Sequence, residues 1–195
     1  MRQKGVMLNL SPALLISRIA TLLVALTVHE FSHAFVADRL GDDTPRNAGR
    51  LTLNPLKHLD LIGSLLLLVA GFGWAKPVPV NPWKLRQHSR SALMWVSLAG
   101  PASNLLMAIT GALVLRTGLV PNTSPASYLP TPVSFLLTFI VINLVLMLFN
   151  LIPVSPLDGE KILEFLLPQP LRDGFIKIQP YGPLLLLVLM FVLPR

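Results

Sequence analysis

Three stretches of the chain are apolar for long enough to cross a bilayer, and turn-rich stretches separate them. The first is expected as a helix from about Pro12 to Leu40. Ser11-Pro12 opens it, since proline is tolerated in a first helical turn, and Gly41 closes it. At 1.5 Å per residue it outruns a hydrocarbon core of about 30 Å. Residues 41–60 are polar and cannot span. Leu61–Trp74 is apolar but only 14 residues long and holds Gly63, Gly71 and Gly73, which predicts a re-entrant or partly buried segment. The run Ala75-Lys76-Pro77-Val78-Pro79-Val80-Asn81-Pro82 excludes a helix interior. Its prolines donate no amide, so it reads as an extended, β-like edge or else a plain linker. A second span is expected over Ser91–Leu115, kinked at Pro101. A Pro/Ser/Thr-rich loop at 116–131 leads to a third over Pro132–Leu151, broken by Pro153 and Pro156. A polar helix follows at about Glu160–Leu167. An apolar segment then covers 175–194, and its continuous part, Leu184–Leu193, has ten residues and is short for a complete crossing.

The predicted fold class is therefore an all-α polytopic membrane protein, a helical bundle with a short re-entrant or extended β-like segment. The organisation is a single integral-membrane domain over 1–195, with its core at 12–167 and a C-terminal apolar segment at 175–194. Composition agrees. Hydrophobic residues make up 53% of the chain and charged residues 13%, with a mean hydropathy of +0.66, against about 25% charged in soluble domains. The first apolar run lacks a small-residue cleavage site and reads as a retained helix rather than a signal peptide.

The net charge of +7 changes the picture only in orientation. No basic cluster is interleaved with aromatics, so no nucleic-acid partner is expected. If the first helix runs from outside to inside, the segments 39–60, 75–90 and 160–177 face the cytoplasm. They hold Arg39, Arg46, Arg50, Lys57, Lys76, Lys84, Arg86, Arg90, Lys161, Arg172 and Lys177, which is 11 of the 16 basic residues. That asymmetry predicts a multi-pass protein of the cell membrane whose site lies toward the cytoplasmic side. There are no cysteines, so disulfides, thiolate ligands and a thiol nucleophile are excluded.

The candidate chemistry sits in the second half of the first helix, at His29-Glu30-Phe31-Ser32-His33. Residues i and i+4 lie on one helix face, so His29 and His33 can share one metal ion. Glu30 is about 100° further round, where a general base must stand to take a proton from water at the metal. Charged side chains at a span's centre cost roughly 2.5–3.5 kcal/mol on the insertion scale, so ionisable groups there are functional by default. Catalytic zinc commonly takes three protein ligands. Asp158, after the broken third span and at comparable depth, is the third candidate. Its plainer role would be capping the helix that follows. His and Asp in broken membrane helices also build metal transporters, and an inactive membrane scaffold is the other alternative. Neither gives Glu30 its place.

The chain resembles the site-2 protease family of intramembrane zinc metalloproteases, in its compact prokaryotic branch. The resemblance rests on His29-Glu30-Phe31-Ser32-His33, on Gly100-Pro101-Ala102-Ser103-Asn104 and on Asn150-Leu151-Ile152-Pro153-Val154-Ser155-Pro156-Leu157-Asp158-Gly159. It extends to Gly49-Arg50-Leu51-Thr52-Leu53-Asn54-Pro55 with His58 and Asp60, and to Gly73-Trp74-Ala75-Lys76-Pro77-Val78-Pro79-Val80-Asn81-Pro82. It implies one zinc ion per chain held by His29, His33 and Asp158, with Glu30 activating water. It implies that Asn150 holds substrate or stabilises an oxyanion, a task a side-chain amide can perform; the plainer role of Asn150 is to cap the broken helix. It implies a transmembrane protein substrate cleaved within the lipid bilayer; the 75–82 stretch, read from its own residues, is the candidate for holding that substrate extended beside the active site. His58 and Asp60 fit the branch pattern and are taken as structural. His88, among Lys84, Arg86 and Arg90, is expected in an exposed loop.

Overall fold

The computed structural model describes residues 11–60, 63, 66, 75–124, 126 and 128–192. The elements are helices α1 (Pro12–Arg39), a single turn α2 (Thr44–Asn47), α3 (Pro82–His88), α4 (Ala92–Arg116), α5 (Pro132–Asn150), α6 (Asp158–Leu166), α7 (Gln169–Ile178) and α8 (Gly182–Val192). Short 3-10 turns lie at Pro55–Lys57 and Gln179–Tyr181. Three of these helices, α1, α4 and α5, are long and apolar enough to cross a membrane. Most of the expected re-entrant segment at 61–74 lies outside the described residues.

One device starts several helices. A short polar residue precedes a proline, accepts a hydrogen bond from an amide two or three residues on, and leaves proline where no N–H is needed. Ser11 Oγ accepts from Leu14 N–H in α1, Asn81 Oδ1 from Trp83 and Lys84 N–H in α3, and Thr131 Oγ1 from Ser134 N–H in α5. Sequence reading placed α1 and α5 within a residue or so of these caps. It overlooked α3, which ends at His88, so that residue is exposed on a helix end rather than in a loop.

The buried face of α1 runs in steps of four through Ser17, Thr21, Ala25, His29, His33 and Ala37. That of α4 runs likewise through Ala92, Val96, Gly100, Asn104 and Ala108. Both rows are dominated by small and polar side chains, while Leu23, Val24, Leu106, Leu113, Val141 and Leu148 face outward. This inverts the soluble pattern because lipid solvates leucine as well as a protein core does. Small residues instead let backbones approach, and polar groups pair across helices. α4 is central, packing on α1, α5 and α6. α5 buries only Asn143.

The apolar C-terminal segment divides. α7 carries Arg172, Asp173 and Lys177, and α8 alone is continuously apolar. At 1.5 Å per residue, its 11 residues reach about 16 Å, roughly half a hydrocarbon core. The expected β-like segment is extended, with a single antiparallel bridge between Leu59 and Ala75, and among the described residues it belongs to no sheet.

Candidate metal centre

The helical spacing of His29 and His33 brings their Nε2 atoms to 3.1 Å. Their rings lie edge to face, with centroids 4.7 Å apart. The chain breaks after α5, turns through residues 151–157 and restarts as α6. This returns Asp158 to α1, with Oδ2 at 3.3 Å from both Nε2 atoms. Gly159 allows the return, because a Cβ there would stand 2.5 Å from the Leu151 carbonyl carbon and 2.6 Å from the Ile152 oxygen. The plainer role considered for Asp158 is absent: it occupies the first turn of α6, Leu157 holds the cap position, and no side chain caps the helix.

The two imidazoles are oriented from behind. His33 Nδ1 donates to the Val96 carbonyl at 2.7 Å, and His29 Nδ1 lies 2.5 Å from Asn104 Oδ1. A carbonyl oxygen only accepts, so both Nδ1 atoms carry hydrogen, and in the neutral rings both Nε2 atoms present lone pairs. Those lone pairs face each other and a carboxylate oxygen that has no hydrogen-bond donor of its own. Three buried acceptors at this range repel unless a cation lies among them. Ligand separations of about 3.3 Å are expected around tetrahedral zinc with bonds of about 2.0–2.1 Å, and the separations here are 3.1, 3.3 and 3.3 Å. Two imidazoles and a carboxylate, in a chain without cysteine, suit zinc by ligand chemistry as well.

Glu30 is buried beside this group. Its Oε2 accepts from the Val78 N–H at 3.2 Å and lies 3.9 Å from the Arg50 guanidinium. Arg50 donates to the Pro77 carbonyl at 3.0 Å and to that of Lys76, while Asn81 N–H donates to the fully buried Asp42 at 2.6 Å. Among the described residues, the 75–82 segment is therefore tied down by charged side chains and a single bridge rather than by a strand ladder, to which its prolines cannot donate. It walls one side of a cavity of about 400 Å³ that also contains His29, Glu30, His33, Asp158 and Asn150. Asn150 sits at the end of α5, one of its amide hydrogens bonded to Leu146 O at 3.0 Å. His58 and Asp60 fill structural roles: His58 is fully buried and bonds Thr52 O at 2.7 Å, and Asp60 accepts from Gly63 N–H at 2.8 Å.

Sequence reading named Gly100 only as part of the Gly100–Asn104 motif, and it did not single out Asn143 or the clamp made by Arg50. A Cβ on Gly100 would lie 2.5 and 2.6 Å from His29 Cε1 and Nε2 and closer still to His33 Nε2, so only glycine lets α4 pass over the two imidazoles. Asn143 had a signal that went unused: an amide in mid-span is costly enough to ask for a partner.

Apolar spans enclosing a buried pair of histidines, a carboxylate and an adjacent glutamate define a membrane-embedded metallohydrolase. The sequence model of peptidase family M50 matches residues 125–190. YwhC of Bacillus subtilis strain 168, provisionally named a zinc metalloprotease, is 46% identical over 188 residues, covering 96% of this chain and 83% of that protein. Rip2 of Mycolicibacterium smegmatis and Rip2 of Mycobacterium tuberculosis strain H37Rv, with the same provisional name, are 36% and 35% identical. The matches cover 88% of this chain and 65% of each relative. No solved structure matches the chain. The chain belongs to peptidase family M50, the site-2 protease family of zinc metallopeptidases.

Proposed function

We propose that this protein is an intramembrane protease that hydrolyses peptide bonds within or beside transmembrane segments of other membrane proteins, as in regulated intramembrane proteolysis. One zinc ion per chain is held by His29, His33 and Asp158. The observation that carries the reading is the convergence of two Nε2 lone pairs and an unpartnered carboxylate oxygen on one point inside a bundle of apolar spans. The protein is multi-pass in the cell membrane, and the basic segments 39–60, 75–90 and 160–177 orient its site toward the cytoplasm.

Bound zinc supplies Lewis-acid polarisation of the scissile carbonyl and a potent nucleophile at neutral pH. Glu30 accepts the proton from the attacking water and returns it to the leaving amine. Val78 N–H and Arg50 hold that carboxylate in place meanwhile. Asn150 keeps a second amide hydrogen for the substrate carbonyl oxygen, since only one is used by Leu146 O. The substrate must be unwound, because a helical peptide bond is shielded and already hydrogen-bonded. The extended 75–82 segment offers it a wall of matching conformation.

The test is cleavage of a panel of fluorogenic single-span peptides co-reconstituted in liposomes. Wild type is expected to cleave with one zinc bound. Glu30→Gln is expected to keep the zinc and lose at least about 100-fold in rate, the low end for a lost general base. Glu30→Gln at the wild-type rate overturns the assignment of the base. Zinc passage into vesicles without cleavage overturns the protease reading.

A further inference from the structure

His33 and His29 are fixed in different ways. His33 uses a backbone carbonyl of α4 directly. His29 leans on a side-chain amide, and an amide by itself can face an imidazole with either its oxygen or its nitrogen. What removes that ambiguity lies further back. Asn143 Nδ2 is 2.9 Å from the Phe139 carbonyl, which can only accept, so the amide nitrogen of Asn143 must point there. Asn143 Oδ1 is then turned toward Asn104 and accepts from Asn104 Nδ2 at 2.9 Å. That in turn leaves Asn104 Oδ1 facing His29 Nδ1 at 2.5 Å. Asn104 and Asn143 are both fully buried, at 0% exposure, so every link is sheltered from water that could substitute for it.

We propose that Asn104 and Asn143 are positioning residues for the metal centre, and that the chain Phe139 C=O, Asn143, Asn104, His29 sets the imidazole tautomer by its polarity. The inference rests on the metal reading above. It also explains α5. That helix buries only Asn143, yet through it the third span selects which nitrogen the first span offers to the ion. The plainer alternative is interhelical adhesion. Polar pairs across membrane helices stabilise packing, and adhesion alone would change stability without changing the affinity of the folded protein for metal.

Isosteric substitutions separate the two. Leucine at 143 removes both ends of the link and leaves Asn104 free to turn over. Protonated aspartate at 143 restores the polarity, because its hydroxyl can donate to Phe139 O while its carbonyl accepts from Asn104. The same contrast holds at 104. The full chain is purified in detergent, its zinc affinity is measured by chelator competition, and its cobalt(II) absorption spectrum is recorded. Asn143→Leu is expected to bind zinc roughly 10–100-fold more weakly, the usual scale for a lost partner behind a ligand, with a shifted cobalt spectrum. Asn143→Asp is expected to recover most of that loss. If Asn143→Leu fails to give a folded protein, Asn104→Leu against Asn104→Asp reads the same ordering. Wild-type affinity and spectrum in folded Asn143→Leu, or aspartate no better than leucine at either position, overturns the relay. A wild type that takes up no zinc overturns the metal reading beneath it.

Discussion

Gly100→Ala is the sharpest perturbation the geometry offers. It adds one methyl group to α4 where that helix crosses the two histidines. The new carbon would stand 2.5 Å from His29 Cε1, while ordinary contact begins at 3.4 Å, so the ring must retreat by about 0.9 Å or the helices must part. Metal–ligand distances are tolerated only within about 0.2 Å. The shift therefore exceeds what the centre can absorb, and His33 Nε2 is crowded even more closely. Stability should respond far less. Alanine improves helix propensity by about 1 kcal/mol over glycine, which offsets much of an overpacking cost of about 1–3 kcal/mol. The expected result is a folded protein of near-normal melting temperature with zinc affinity reduced more than 100-fold and no peptide cleavage. Elemental analysis of the purified variant and cleavage in liposomes check this together. One tightly held zinc with wild-type turnover would refute the close passage of α4 over the ligands.

Other substitutions read neighbouring parts of the site. Asp158→Ala should lose bound zinc, measured as metal per chain, because it removes the acceptor that faces both Nε2 atoms. Arg50→Met should retain zinc but lower cleavage. It frees the 75–82 segment by leaving the Lys76 and Pro77 carbonyls unpaired, at about 1–3 kcal/mol for each buried group, and hydrogen exchange over 75–82 should rise. Acid should loosen α7 from α6. Burial raises the pKa of Glu164, but hydrogen bonds from Arg172 and Gln179 and the charge of Lys161 outweigh it and hold the carboxyl below its ordinary value. A depressed carboxylate stabilises above its ordinary pKa and stops doing so as the pH falls through the depressed one. Nicking by the acid protease pepsin at Leu171 and Phe175 should accordingly increase below about pH 4.5, and by less in Glu164→Gln, where the dependence is already absent.

The features readable from the chain alone were those set by short-range geometry and by solvent. Apolar length decides what can span, so α1, α4 and α5 were legible to within a residue or two. The four-residue repeat of a helix puts His29 and His33 on one face in any context, and a carboxylate after a proline-broken span named Asp158. The short helices α3 and α7 were harder, because each is brief and amphipathic, and stands beside turn signals of equal strength.

Only the tertiary structure decided what stands behind the two histidines. The meeting of Asp158 with the histidines depends on how the chain turns through residues 151–157 and packs Gly159 on the end of α5. Gly100, Asn104, Asn143 and Arg50 act on parts of the chain remote in sequence, the bonds from Asn104 to His29 and Asn143 and from Arg50 to Lys76 and Pro77 spanning 26 to 75 residues. No local propensity encodes such a pairing. An amide in a membrane span announces that it needs a partner, but packing of the small-residue faces of α1 and α4 selects the partner. The direction of each bond then follows from a backbone carbonyl that no side-chain pattern can reveal.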